Sequence, residues 1–91
     1  LVVDLEKEVT KEEVNAAFKK YEADAMKGIL GVSEQPLVSS DYNTDPRSSI
    51  IDSDLTMVMG DNKVKVLSWY DNEWGYSVRC VELAEMIAKN I

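Results

Sequence analysis

The chain opens on an alternation of hydrophobic and polar residues. Leu1, Val3 and Leu5 alternate with Asp4 and Glu6. A period of two places the apolar side chains on one face of an extended backbone. The first five residues therefore predict a strand.

A helix start follows this strand. Thr10 suits the N-cap position, and Glu13, three residues later, completes a capping box. Val9 and Val14 stand at the two positions of a hydrophobic staple. Gly28 is expected to end the region, since glycine tolerates the left-handed turn after a helix. Apolar residues at helical spacing predict one stripe on this helix: Val14, Ala17, Phe18 and Tyr21.

The middle of the chain predicts short strands separated by loops. Residues 28–32 are a short apolar run, and residues 50–52 begin another. Between them, residues 41–49 are rich in Asp, Asn, Ser and Pro, a composition typical of a loop. Residues 55–59 then alternate, residues 60–63 form a turn, and residues 64–70 run back. This last pair is the strongest hairpin signal in the chain.

A second helix closes the chain, with Asp71 or Asn72 as its N-cap. Its apolar residues share one face: Tyr76, Cys80, Leu83, Ala84, Ile87 and Ile91. The order is strand, helix, several strands, helix. We therefore predict an α+β fold with two helices and a mixed, mainly antiparallel sheet.

Composition narrows the possible functions. The 91 residues allow one small domain, and the net charge of −7 argues against nucleic-acid binding and against a phosphate site built from this chain alone. No apolar run approaches the roughly 20 residues of a membrane span, so no membrane partner is expected. The single cysteine cannot form an intramolecular disulfide, which favours a reducing, cytoplasmic location.

A polar loop imitates a calcium site. Asp41, Asn43 and Asp45 have the right spacing, and Asp52 stands at the twelfth position. Pro46, however, occupies the position where the sharp turn needs glycine, and strand-like runs flank the loop. We interpret it as a polar surface loop and expect no metal site.

Cys80 is the other candidate for chemistry. The chain contains no histidine that could act as its base. Cys80 also lies on the apolar stripe of the second helix, where a small thiol packs as a hydrophobic residue. We therefore predict that Cys80 belongs to the core.

Residues 68–77 read Ser-Trp-Tyr-Asp-Asn-Glu-Trp-Gly-Tyr-Ser. Aromatic rings offer apolar walls and an amide offers both a donor and an acceptor, a combination that suits a flat ligand. The alternative is structural: Asn72 is only an N-cap and the rings are only core. Physical reasoning from the residues leaves both readings open.

That stretch, followed by Arg79, resembles the C-terminal signature of phosphorylating glyceraldehyde-3-phosphate dehydrogenases. The resemblance covers essentially the whole chain and keeps the order of the family's segments. The other similar segments are residues 1–5, 27–31, 36–42, 48–52 and 55–60.

The resemblance implies an NAD- or NADP-dependent enzyme that oxidises and phosphorylates glyceraldehyde 3-phosphate to 1,3-bisphosphoglycerate. Residues 1–91 would be the C-terminal portion of its catalytic domain, with strands and one helix in residues 1–71 and the C-terminal helix in residues 72–91. The expected partners are the remainder of the subunit, with its Rossmann half, and a homotetramer. The family's nucleophilic cysteine and base histidine lie upstream of Leu1. The chain is therefore expected to be a cut piece that is inactive alone.

The resemblance also assigns site residues. Asn72 matches the asparagine that hydrogen-bonds the nicotinamide carboxamide. Tyr70 and Tyr76 match tyrosines that line the pocket, and Glu73 matches a glutamate with a supporting role. Two alternatives stay open: a fragment of the related erythrose-4-phosphate dehydrogenase, and a non-catalytic assembly module.

Overall fold

The computed structural model describes residues 1–91 and confirms an α+β fold with two helices. The strands form two small sheets instead of the single predicted one. Short 3-10 turns cover Ser39–Tyr42 and Ser53–Leu55. The strands and helices are β1 Val2–Asp4, α1 Lys11–Ala23, β2 Leu30–Ser33, β3 Ser49–Asp52, β4 Met57–Met59, β5 Lys63–Lys65, β6 Ser68–Trp69 and α2 Trp74–Lys89.

The first sheet has the order β1-β5-β4, with antiparallel pairing throughout. Val64 of β5 is paired with Val3 on one side and with Val58 on the other. These three valines face inward, whereas Met57 and Met59 are exposed. The predicted hairpin is confirmed, and Gly60 in its turn has the positive φ of 62° that glycine adopts without steric cost.

The second sheet has the order β2-β3-β6, in which β2 and β3 are parallel and β6 is antiparallel to β3. The prediction of one returning strand over residues 64–70 was wrong. The amide of Val66 still donates to Leu1 in the first sheet, but the carbonyl of Leu67 already accepts from Asp52 in the second. The stretch therefore changes pairing partner after Val66 and forms two strands.

Helix α1 begins as predicted. The Thr10 hydroxyl accepts a hydrogen bond from the Glu13 amide at 3.2 Å, and the Glu13 carboxylate accepts one from the Thr10 amide at 3.3 Å. Val14 and Phe18 pack against the core, but Tyr21 on the same stripe is exposed. The helix ends at Ala23, and Gly28 takes its positive φ of 81° in the turn that leads to β2.

The core is thin because 91 residues cannot enclose much volume. Only 11 residues are buried, and Ile50 of β3 is the most deeply buried apolar side chain. The central cluster lies between α1 and the two sheets. It consists of Leu30, Ile51, Val64 and Val66.

Helix α2 projects away from this core. Every residue from Cys80 to Ile91 is exposed, so the predicted apolar stripe is not buried within the chain. The prediction that Cys80 is a core residue was wrong, since it is an exposed free cysteine. The reason is that no other element of the chain packs on that half of the helix. Neither helix has the length and hydropathy that crossing a membrane requires.

Candidate functional site

An open cleft lies where β6 meets α2. Its volume is about 310 Å³, at the lower end of the range for small-molecule sites. The residues that line it come from the loop before β3, the β6–α2 junction and the first turns of α2. They are Ser48, Tyr70, Asp71, Asn72, Gly75, Tyr76 and Arg79.

Three of the four aromatic residues of this region divide between core and cleft, whereas Trp74 is exposed and lies outside the cleft lining. Trp69 stacks on buried Tyr42, with ring centroids 6.0 Å apart, and its indole N–H donates to Asp52 at 3.2 Å. Tyr70 and Tyr76 line the cleft, and these residues are 63% and 73% exposed. Trp69 is thus a core residue, whereas the two tyrosines have apolar surface free to contact a ligand.

Asp71, rather than Asn72, caps α2. Its Oδ1 atom accepts from the amides of Glu73 at 3.0 Å and Trp74 at 2.8 Å. Its Oδ2 atom accepts from the amide of Thr44 at 2.9 Å. The exposed Asn72 takes no part in this cap, so its amide keeps both donor and acceptor capacity toward the cleft.

Glu73 is the predicted site residue that the fold does not bring into the cleft. It is exposed at the start of α2, and its backbone amide serves the Asp71 cap. Tyr70, Asn72 and Tyr76 lie together, whereas Glu73 is outside the residues that line the cavity.

Arg79 and Ser48 line the cleft but were not singled out from the sequence as site residues. The Arg79 guanidinium donates to the Ser48 hydroxyl at 3.2 Å and to the Glu82 carboxylate at 2.9 Å. Arg79 follows Asn72, Gly75 and Tyr76 at helical spacing, which is the signal that could have identified it. Ser48 carries no local signal, since only the tertiary fold brings it there.

Two titratable groups at the cleft are shifted. Hydrogen bonds from the amides of Trp74 and Thr44 hold the pKa of Asp71 below its ordinary value. The neighbouring Cys80 thiol, as a hydrogen-bond partner, raises the pKa of Tyr76. At neutral pH the cleft therefore contains an ionised carboxylate and a protonated phenol.

The loop that imitates a calcium site uses its carboxylates internally. Asp41 accepts from the amide of Val38 at 2.8 Å. Asp45 forms a bidentate pair with Arg47, at 2.9 Å to Nε and 2.7 Å to Nη2. The fold does not bring three or more potential metal ligands together anywhere.

The cleft can bind and orient a ligand, but its own residues do not form a nucleophile–base pair. Cys80 is the only thiol, does not line the cavity, and has no histidine in the chain to activate it.

Comparison with known proteins gives a consistent result. Residues 1–72 match the family model described as glyceraldehyde 3-phosphate dehydrogenase, C-terminal domain. The chain is 60% identical over 88 residues to glyceraldehyde-3-phosphate dehydrogenase 2 of Bacillus subtilis, covering 97% of this chain and 26% of the relative. The protein of the same name from Staphylococcus aureus (strain Mu50) is 64% identical over 87 residues, covering 96% and 25%.

The similarity extends through helix α2. The protein of the same name from Staphylococcus epidermidis is 60% identical over 91 residues, which is 100% of this chain and 26% of the relative. The chain thus spans about a quarter of the length of these curated relatives.

Proposed function

This chain belongs to the family of glyceraldehyde 3-phosphate dehydrogenase C-terminal domains, and we propose that it forms the C-terminal portion of the catalytic domain of such an enzyme. The enzyme oxidises and phosphorylates glyceraldehyde 3-phosphate to 1,3-bisphosphoglycerate, with NAD or NADP as the oxidant. The observation that carries this proposal is the cleft, where the uncommitted Asn72 amide lies with two exposed tyrosine rings.

The residues of the cleft fit a nicotinamide. A carboxamide has one acceptor oxygen and two N–H donors, and so does the side chain of Asn72, so the two groups can form complementary hydrogen bonds. The rings of Tyr70 and Tyr76 offer apolar surface to a flat heterocycle. A nicotinamide held by Asn72, Tyr70 and Tyr76 would supply the hydride acceptor.

In this proposal the residues of the chain orient the nicotinamide. Asn72 fixes the rotation of the carboxamide, and the tyrosines limit where the ring can lie, which restricts the approach to productive geometries. Asp71 cannot replace Asn72 in this role, since an ionised carboxylate has no N–H donor for the carboxamide oxygen. Glu73 has at most a supporting role through the start of α2.

The rest of the subunit completes the enzyme. In this proposal residues 1–71 provide the strands and one helix of the catalytic domain, and residues 72–91 provide its C-terminal helix. The exposed apolar stripe of α2, with Leu83 and Ile87 among its residues, packs against the Rossmann half. The assembled enzyme is a cytoplasmic homotetramer that binds neither nucleic acid nor membranes.

The test is an assay of the full-length subunit that contains residues 1–91. With glyceraldehyde 3-phosphate, inorganic phosphate and NAD or NADP, we expect reduced cofactor to form, and the isolated chain to form none. Comparing kcat/KM for erythrose 4-phosphate separates the related dehydrogenase, which would prefer that substrate. A full-length protein that turns over neither aldehyde would contradict the proposal and favour an assembly module.

A further inference from the structure

One carboxylate joins the start of α2 to a loop that is distant in sequence. Asp71 accepts from the Glu73 and Trp74 amides through Oδ1, and from the Thr44 amide through Oδ2. The first oxygen therefore caps the helix, and the second binds residues 43–48, which we call the tether loop. The two functions belong to different atoms of one side chain.

The tether loop is itself held in one conformation. Thr44 has a φ of 66°, a left-handed backbone that β-branched residues rarely adopt. The carboxylate of Asp45 binds both the backbone amide and the guanidinium of Arg47. A strained backbone of this kind persists only where the surrounding contacts determine it. Asp71 supplies one of those contacts.

Two further contacts join α2 to the tether loop. Gly75 approaches the loop so closely that a Cβ atom there would stand 3.1 Å from the carbonyl oxygen of Arg47. Arg79 donates to Ser48 one turn later. Beyond Arg79 every residue of α2 is exposed, so these contacts and the Asp71 bond hold the first turns of the helix against the tether loop.

We propose that Asp71 is a positioning residue for the nicotinamide site, and that it acts through its bond to Thr44 rather than through the helix cap. This inference rests on the proposed function. Asp71 lies between Tyr70 and Asn72 in the chain, and all three line the cleft. Fixing Asp71 to the tether loop fixes the backbone on both sides of it, and with it the direction of the Asn72 amide.

The substitution Asp71→Asn separates the two functions. Asparagine is about as good an N-cap as aspartate, so its carbonyl oxygen can keep the Oδ1 bonds. The NH₂ group that replaces Oδ2 cannot accept from the Thr44 amide. Asp71→Ser is a second variant with one capping oxygen only. Asp61→Asn is the matched control, since this exposed turn residue makes the same charge change at the β4–β5 turn, outside the residues that line the cleft.

The experiment measures kcat and the KM for NAD or NADP of the full-length enzyme with glyceraldehyde 3-phosphate, beside thermal unfolding. Small misplacements of an orienting group cost up to roughly 100-fold in rate. We expect both Asp71→Asn and Asp71→Ser to raise the cofactor KM and to lower kcat. In each variant the two changes together should lower kcat/KM roughly tenfold. Both should unfold within a few degrees of the wild type, and Asp61→Asn should match it in every parameter.

The outcomes separate the two claims. An active wild type whose Asp71→Asn and Asp71→Ser variants keep its kcat and cofactor KM would overturn the positioning role and leave the proposed function intact. Loss of activity only in proportion to lost folded protein would also overturn it, because that is the effect of a cap alone. A wild-type enzyme that fails to oxidise glyceraldehyde 3-phosphate would overturn the proposed function, and the positioning role with it.

Discussion

The backbone carbonyl oxygen of Arg47 lies 3.1 Å from the point where a Cβ atom on Gly75 would stand. Gly75 is the only buried residue of α2, and it is buried because the tether loop lies directly against it. A glycine inside a helix normally costs about 1 kcal/mol relative to alanine. At position 75 the backbone of the tether loop lies so close to the backbone of α2 that the contact opposes the usual preference for alanine over glycine.

The substitution Gly75→Ala tests this contact by the sign of its effect. On an open helix surface, alanine would stabilise the fold by about 0.5–1 kcal/mol. Here the new methyl group presses on the Arg47 carbonyl, so we expect the free energy of unfolding of the chain to stay unchanged or to fall by about 1 kcal/mol. Chemical denaturation monitored by circular dichroism measures it.

Ser77→Ala is the matched control for Gly75→Ala, since Ser77 is exposed on the same helix. We expect this variant to be slightly more stable than the wild type, because alanine has the higher helix propensity. A gain of about 1 kcal/mol for Gly75→Ala, which is the full difference in helix propensity and larger than the gain for Ser77→Ala, would show that the tether loop yields without cost.

The Asp45–Arg47 pair predicts a dependence of stability on pH. The side-chain hydrogen bond from Arg47 holds the pKa of Asp45 below its ordinary value. A carboxyl whose pKa is lower in the folded state stabilises that state above its unfolded pKa, and the contribution is lost as pH falls through the folded value. We expect Asp45→Asn to cost about 1 kcal/mol at pH 7, and this difference to shrink below about pH 4.

Urea denaturation at several pH values measures the difference between the wild type and Asp45→Asn. Asp54→Asn is the control, because Lys11 binds the backbone carbonyl of Asp54 and not its carboxylate. A difference for Asp45→Asn that stays constant from pH 7 to pH 3 would contradict the role assigned to the pair.

The rate at which Cys80 reacts with a thiol reagent measures the exposure of the outer half of α2. In the isolated chain we expect a thiol reagent to react with Cys80 in native buffer nearly as fast as in denaturant. Cys80→Ala should change the free energy of unfolding by less than about 0.5 kcal/mol, as is usual at exposed positions. In the full-length subunit, where we propose that α2 packs against the Rossmann half, the labelling should be slower. A thiol that reacts only after the isolated chain unfolds would contradict this account.

Local signals predicted most of the elements. The capping box of Thr10 and Glu13 closes within four residues, and the β4–β5 hairpin closes through an adjacent turn, so neighbouring residues determine both. The switch of residues 64–70 from one sheet to the other depends on Leu1 and on Asp52, which are distant in sequence. No local pattern contains that information.

The candidate site shows the same difference between local signals and contacts that are distant in sequence. The stretch from residue 68 to 77 drew attention to Tyr70, Asn72 and Tyr76, which the fold brings together. The sequence left the cap undecided between Asp71 and Asn72, since both residue types are good caps. Cys80 was wrongly expected in the core because a helical apolar stripe shows which face is hydrophobic, but not whether anything covers it.

The orienting role of Asn72 is tested by comparing wild-type and Asn72→Ala forms of the full-length subunit. Asn90→Ala, at the far end of α2, is the control. We measure kcat and the KM for NAD or NADP with glyceraldehyde 3-phosphate and inorganic phosphate. If Asn72 orients the nicotinamide, its loss raises the cofactor KM and lowers kcat at least roughly tenfold, while Asn90→Ala matches the wild type. Kinetic constants for Asn72→Ala equal to those of the wild type would contradict the account.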